Sequence, residues 1–247
     1  MSFVVVMPAY NEAEGITEFI REVLAAFDAL EVSVIVVDDA SGDSTPAALA
    51  ELQEQGLPVT ALRNDRNLGH GPSTIKALAA GLSAGHEVVV AVDGDGQFRG
   101  PDIARVASLV HTSGADVVEG ARIGRGDPHY RRAVSSATRL LVRSACGLSP
   151  RDANTPLRAY RRNRLEQLLE GVPEDAMTPN LLMSASVRRN GWQIIETEVA
   201  SLQRRGASSV GTTWGASRIQ LPSRRFLMFC GRAFAQWRRF QREGAEG

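Results

Sequence analysis

Residues Val88–Gln97 read Val-Val-Val-Ala-Val-Asp-Gly-Asp-Gly-Gln: five apolar residues, then two carboxylates two positions apart, then an amide. A strand projects alternate side chains to one side, so Asp93 and Asp95 can converge on one point past the strand's end, with Gln97 continuing the alternation. Gly94 and Gly96 let the backbone turn tightly around whatever binds there. Hard oxygen ligands so arranged suit Mg²⁺ or Mn²⁺, ions commonly held by one or two carboxylates together with substrate phosphates. An Asp/Gly turn leading into a helix at Pro101 has the same composition. The stretch alone leaves both readings open.

The elements that would position these residues alternate at α/β spacing. The pattern predicts strands at Val4–Met7, Val32–Val37, Pro58–Leu62, Glu87–Val92 and Ala115–Glu119. Helices are predicted at Glu12–Ala29, Ser44–Gln55, Pro72–Ala84 and Pro101–Thr112. Continuous Val-rich runs indicate strands buried on both faces of a mainly parallel sheet. Ligands of such sheets bind beyond the carboxyl ends of the strands, where Pro8–Glu12, Asp38–Asp39 and Asp93–Gln97 all fall. Beyond residue 120 the pattern gives a loop at Gly120–His129, a helix at Tyr130–Cys146 and a polar loop at Ser149–Pro156. Helices at Arg162–Leu169 and Thr178–Arg189, a strand at Trp192–Thr197 and a Gly/Ser-rich loop at Ser201–Gly215 follow.

At 247 residues, 43% hydrophobic and 23% charged, the chain has the composition of a globular protein. No apolar run approaches the roughly 20 residues of a membrane span. The first strand begins within three residues without a basic leader, so a secretory signal is not expected. Cys146 and Cys230 form neither a disulfide framework nor a metal pattern, which points to a cytoplasmic location, with peripheral membrane association as a further option. The zero net charge hides an asymmetry. Residues 1–120 carry 6 Lys+Arg against 18 Asp+Glu, and the remainder 22 against 10. Nearly all the cations are arginine, the bidentate phosphate donor. The division suits an acidic metal-holding half and a basic phosphate-holding half, and equally suits two solvated faces of opposite sign. Nucleic-acid binding is not expected, for the basic half has no recognition motif and the acidic half would repel phosphates.

Four motifs in order carry a specific resemblance: Met7-Pro8-Ala9-Tyr10-Asn11-Glu12, Val36-Val37-Asp38-Asp39-Ala40-Ser41-Gly42-Asp43-Ser44, Asn67-Leu68-Gly69-His70-Gly71 and Asp93-Gly94-Asp95-Gly96-Gln97. Together they resemble a family-2 glycosyltransferase of the GT-A fold. Within that family the chain is most similar to the dolichol-phosphate mannose synthase and polyprenyl-phosphate glycosyltransferase branch, whose later motifs resemble Arg151–Arg162 and Arg204-Arg205-Gly206-Ala207-Ser208-Ser209. The resemblance implies an α/β, Rossmann-like, mainly parallel sheet flanked by helices. It covers 1–215 as one domain, with a nucleotide-sugar and metal half (1–120) and an acceptor half (121–215), followed by a basic helix in 216–247.

For the site the resemblance implies a nucleoside-diphosphate sugar, UDP by default and GDP as the alternative, bound with Mg²⁺ or Mn²⁺. Pro8, Ala9 and Tyr10 would lie against base and ribose, Glu12 on the ribose hydroxyls and Asp39 on a base N–H, with Asn67, Gly71, Asp93 and Gly94 also on the donor. Asp93, Asp95 and Gln97 would hold the metal, and Arg204 and Arg205 would close over the diphosphate. Asp38 is read as a loop holder and Lys76 as a solvated helix lysine. Many family-2 enzymes have a catalytic Asp where this chain has Asn180, and an amide cannot take a proton. A phosphate acceptor is already ionised and needs no base, which fits the polyprenyl-phosphate branch. For an alcohol acceptor Asp152, ahead of Glu174 and Asp175, is the candidate base. The alternative is a phosphorylated or nucleoside-like small-molecule acceptor, and a third reading is a non-catalytic nucleotide-sugar-binding module. A sugar nucleotidyltransferase would carry a Gly-rich, Arg-containing loop after the first strand, which Pro8–Glu12 is not. In Pro222–Arg242, Phe226, Phe229, Cys230, Ala233, Trp237 and Phe240 form a helical stripe flanked by arginines, suited to a membrane interface or to packing on the domain.

Overall fold

A computed structural model describes residues 1–28, 30–124, 129–205 and 224–243. The chain runs β1 (Ser2–Ala9), α1 (Ile16–Ala26), β2 (Glu31–Asp38), α2 (Thr45–Glu54), β3 (Val59–Arg63), α3 (His70–Ser83), β4 (Val88–Ala91), α4 (Gly100–Thr112) and β5 (Val117–Ile123). It continues through α5 (His129–Cys146), β6 (Arg158–Arg161), α6 (Arg162–Glu170), α7 (Pro179–Arg189), β7 (Ile194–Ala200) and α8 (Arg224–Glu243). All seven strands form one sheet in the order β3-β2-β1-β4-β6-β5-β7. Pairing is parallel except where β6 enters antiparallel between β4 and β5. Strands from both halves of the chain thus share a single sheet.

Both sheet faces are buried, which is why the strands read as unbroken Val runs. Phe3, Val5, Met7, Val34, Val36 and Val90 point into a cluster with Phe19, Ile20 and Val23 of α1 and Ile103, Val106 and Val110 of α4. Their neighbours Val4, Val6, Ile35, Val37 and Val89 point the other way, into a cluster with Leu78 of α3 and Leu182 and Val187 of α7. Two fully buried apolar layers supply the dominant stabilisation of the domain.

The structure corrects the sequence reading at four places. Helix α1 begins at Ile16, because residues 11–13 leave the helical path: Asn11 has φ 55°, and the backbone N–H groups of Asn11, Glu12 and Ala13 donate to Ser41, Thr45 and Asp43 side chains. The expected loop at Gly120–His129 is strand as far as Ile123, which pairs with Ala200; residues 125–128 lie outside the described residues. The last strand is shifted to Ile194–Ala200. Finally β6, Arg-Ala-Tyr-Arg, had no apolar signal, since the charge of its first residue is buried by pairing: Arg158 stands opposite Glu119 in the β5 register and both are about fully buried. The expected loop residues 206–215, with the Gly206–Ser209 motif and the 215/216 boundary, lie outside the described residues.

Candidate functional site

The β1, β2 and β4 ends form one edge because neighbouring backbones lock them in step. Asp39 N–H donates to Ala9 O (2.8 Å), and Gly94 N–H donates to Pro8 O (3.2 Å). Pro8 and Ala9 therefore sit between the two aspartate-bearing loops, and a Cβ on Gly94 would come within 2.9 Å of Pro8 O. The β1–α1 turn is stitched to the β2–α2 turn in both directions, for Asn11 Oδ1 also accepts Gly42 N–H (2.9 Å). Asn11 and Ala40 hold positive φ, 55° and 58°, an uncommon conformation for L-residues that these contacts fix.

Asp38 and Asp39 are both buried, and both are occupied. Asp38 accepts Ser41 N–H (3.0 Å) and the Arg63 guanidinium (2.6 Å), the loop-holding role expected of it. Asp39 accepts Asn64 Nδ2 (2.8 Å) and Leu68 N–H (2.8 Å) on Oδ1, and Gly69 N–H (2.9 Å) on Oδ2. It organises residues 64–69 and keeps one acceptor position on Oδ2 for a further donor. Asn64, which lies outside every motif, is in turn held by Lys76 Nζ (2.7 Å); Lys76 is exposed but anchored instead of freely solvated. Asn67 is exposed on this loop. Gly71 serves packing: a Cβ there would lie 2.0 Å from Ala176 O.

The β4 loop is different in kind. Asp95 is partly buried, and among the described residues its carboxylate receives only Gln97 N–H (3.2 Å). Burial first, and the Asp93 carboxylate second, push its pKa up to about 7, with Glu12 adding in the same direction. Glu12 is also raised, by burial, against the opposing pull of Arg204. His70 Nε2, at the start of α3, lies 3.6 Å from Asp93 Oδ1, a neighbour that the motif placed in the sequence without revealing its partner. Residues 202–205 run along this loop: Leu202 N–H donates to Gln97 O (2.9 Å), Arg205 N–H to Asp95 O (3.0 Å) and Gln97 Nε2 to Leu202 O (3.2 Å). Arg204 pairs with Glu12, Arg205 with Glu22, and the Arg205 guanidinium also lies over the Phe19 ring, 5.4 Å from its centroid. A cleft lined by Asn11, Glu12, Ala13, Glu14, Asp43, Ser44 and the two arginines opens beside this contact.

Carboxylates gathered with so little compensation fit a divalent cation, whose charge would favour the ionised forms. Among the described residues no group of three His, Cys, Asp or Glu forms a ready-made metal cage. A cation on Asp93 and Asp95 would therefore need oxygen from a bound ligand, as diphosphates supply. Gln97 has its amide N–H₂ committed to Leu202, leaving its carbonyl oxygen as its ligating atom.

A second, narrow cleft is lined by Asp93 itself with Pro8, Thr74, Val92, Pro156 and Asn180. Asn180, in the first turn of α7, is 4% exposed and lines this cleft. Asp152 is engaged elsewhere, accepting from Arg122 Nε (2.6 Å) and Nη2 (3.0 Å). Glu174 and Asp175 are exposed, and Asp175 accepts from Gln236 (3.3 Å at its carbonyl). Beneath the cleft Glu119 is clamped between Arg188 (2.7 Å) and Arg158 (3.3 Å), a buried network that fixes β6 beside Ala91 at the end of β4.

Residues 4–178 match the sequence model described as Glycosyl transferase family 2. An undecaprenyl-phosphate 4-deoxy-4-formamido-L-arabinose transferase of Enterobacter sp. (strain 638) is 32% identical over 181 residues, 72% of this chain and 54% of that protein. The chain thus spans little more than half the length of this curated relative. Among solved structures, a mannosyltransferase from Pyrobaculum calidifontis in complex with GDP-Man and Mn²⁺ superposes with a TM-score of 0.60 at 23% identity, covering 83% of this chain and 57% of that one. Glucosyl-3-phosphoglycerate synthase from Mycobacterium tuberculosis, in complex with Mn²⁺, UDP and glucosyl-3-phosphoglycerate, gives 0.58 at 20% identity over 84% and 73% of the two chains.

Proposed function

Since the chain belongs to glycosyl transferase family 2 and has the GT-A fold, we propose that it transfers a sugar from a nucleoside diphosphate to a polyprenyl phosphate with inversion at the anomeric carbon. The observation that carries this reading is the Asp93/Asp95 pair, gathered beside Pro8–Glu12 at the sheet edge with Asp95 pushed up to about 7. Mg²⁺ or Mn²⁺ held by Asp93, Asp95 and the Gln97 carbonyl would supply charge for the departing diphosphate. Asp39 offers its remaining acceptor position to a base N–H, with UDP the favoured donor and GDP the alternative. Pro8, Ala9 and Tyr10 line the base and ribose, and Glu12 takes the ribose hydroxyls once Arg204 turns from it to the diphosphate. Arg204 and Arg205 stabilise the leaving group as the bond from its oxygen to the anomeric carbon breaks.

The acceptor phosphate oxygen forms the new bond as an anion, so no proton need be removed. That is consistent with Asn180 in the cleft and with Asp152 tied to Arg122 instead of free to act as a base. The name of the Enterobacter relative, which includes undecaprenyl phosphate, supports this acceptor class over an alcohol.

The test is transfer of labelled sugar from UDP- and GDP-sugars to undecaprenyl phosphate in detergent, with Mn²⁺ or with a chelator. Metal-dependent label in the lipid is expected, and Asp152→Asn should retain activity within about tenfold, whereas loss of a general base costs roughly 10²–10⁴-fold. Transfer only to a water-soluble phosphorylated acceptor would move the alternative acceptor class to the front. No turnover of any donor would overturn the reading.

A further inference from the structure

Helix α8 has two apolar faces, and the domain uses one. Phe226, Trp237 and Phe240 are buried, and the last two join the core cluster of α7 with Leu181 and Leu182. At about 3.6 residues per turn these three lie on one side of the helix. Turned away from it are Leu227, Met228 and Phe234, exposed at 57%, 59% and 48%. They are three of the nine large exposed hydrophobic residues among the described residues, concentrated on one helix. Gly231 and Ala235 lie exposed between them, so no bulky polar side chain interrupts the patch. Arg224, Arg232, Arg238 and Arg242 are exposed around it, and the only acid of the helix, Glu243, is its last residue. Packing on the domain therefore accounts for one stripe of this helix and leaves the other unexplained.

We propose that the outward face of α8 docks on the surface of an anionic bilayer, its apolar side chains entering the headgroup–acyl boundary and its arginines meeting lipid phosphates. The combination of large apolar residues with cations and no intervening acid is what such an interface selects. A second copy of this chain suits the face less well, because a two-fold contact would set arginines against arginines. No described helix is long and apolar enough to cross a membrane, so the contact would be peripheral. The helix is also tied to the cleft: Gln236 Oε1 accepts Met177 N–H (2.8 Å), Ala176 O lies under Gly71, and Asn180 lines the cleft with Asp93. The inference goes beyond the proposed reaction and does not depend on it, although a lipid-borne acceptor would give it a use.

The full chain should co-sediment with vesicles of phosphatidylcholine plus phosphatidylglycerol, more weakly with phosphatidylcholine alone, and less as salt rises. Leu227→Ser/Met228→Ser/Phe234→Ser should lower partition by about tenfold or more. Arg238→Gln/Arg242→Gln should lower it by roughly fivefold per arginine at low salt. Melting temperature and nucleotide binding, measured without vesicles, should stay unchanged in both, so a failed transferase reading would leave this test intact. The proposal is overturned if wild type ignores the anionic vesicles or if neither variant weakens binding. It is equally overturned if wild type is a dimer that the triple variant converts to monomer.

Discussion

Two strand ends on one sheet edge carry paired aspartates, and they are built oppositely. Behind β2, Asp38 and Asp39 are buried and accept five hydrogen bonds between them, from Ser41, Arg63, Asn64, Leu68 and Gly69. Behind β4, among the described residues, Asp95 accepts one long hydrogen bond and Asp93 has His70 at 3.6 Å. Buried carboxylates stay ionised cheaply where donors surround them and expensively where they do not. The first pair therefore holds loops in place, and the second has less to offset its charge, as the proposed cation would. Residue type is the same at the two ends, but Asp38 and Asp39 are adjacent whereas Asp93 and Asp95 stand two positions apart; the supply of donors separates the two pairs further.

The largest effect should come from breaking the saturated pair. Asp39→Ala leaves one N–H of Asn64 Nδ2, which keeps Ser73 Oγ for the other, and the Leu68 and Gly69 N–H groups without their acceptor, and should destabilise the fold by on the order of 4 kcal/mol, read from urea unfolding. A loss under about 1 kcal/mol would mean that the loop does not depend on Asp39.

The unsaturated pair should respond with the opposite sign and a smaller size. With a folded pKa near 7 against an ordinary carboxyl value of 3.8, Asp95 contributes stability that is complete at low pH and lost as pH rises through about 7. Asp95→Asn should therefore melt higher than wild type at pH 8, by about 5 °C, and the gap should narrow by pH 5. A variant that melts lower than wild type at pH 8 would place Asp95 with the framework instead.

The contrast between the two pairs explains what the sequence disclosed. The Val runs of β1, β2 and β4, the edge they share and the residues along it were legible, because strands buried on both faces cannot hide their composition and the polar clusters close them. Donor supply was not legible. Asn64 reaches Asp39 across 25 residues and Lys76 reaches Asn64 across 12, and His70 meets Asp93 only once α3 is folded. Strand β6 escaped notice because the charges of Arg158 and Glu119 cancel inside the sheet, and a polar residue is read as exposed until its partner is known. The Arg122–Asp152 pair was hidden in the same way, as Asp152 looked like a free carboxylate in a polar loop. In the terminal helix the stripe's Phe226, Trp237 and Phe240 pack on the domain, whereas Leu227, Met228 and Phe234, which lie outside that stripe and gave no signal in the sequence, are exposed.

The central claim is that Asp93 and Asp95 hold a divalent cation on the donor diphosphate. It is tested most directly by calorimetric titration of UDP and GDP into wild type and Asp95→Asn, with and without Mn²⁺. Mn²⁺ should tighten binding of one nucleotide to wild type by about 100-fold, on the order of 3 kcal/mol, and do nothing for Asp95→Asn. Equal tightening in both proteins, or none in wild type, would contradict it.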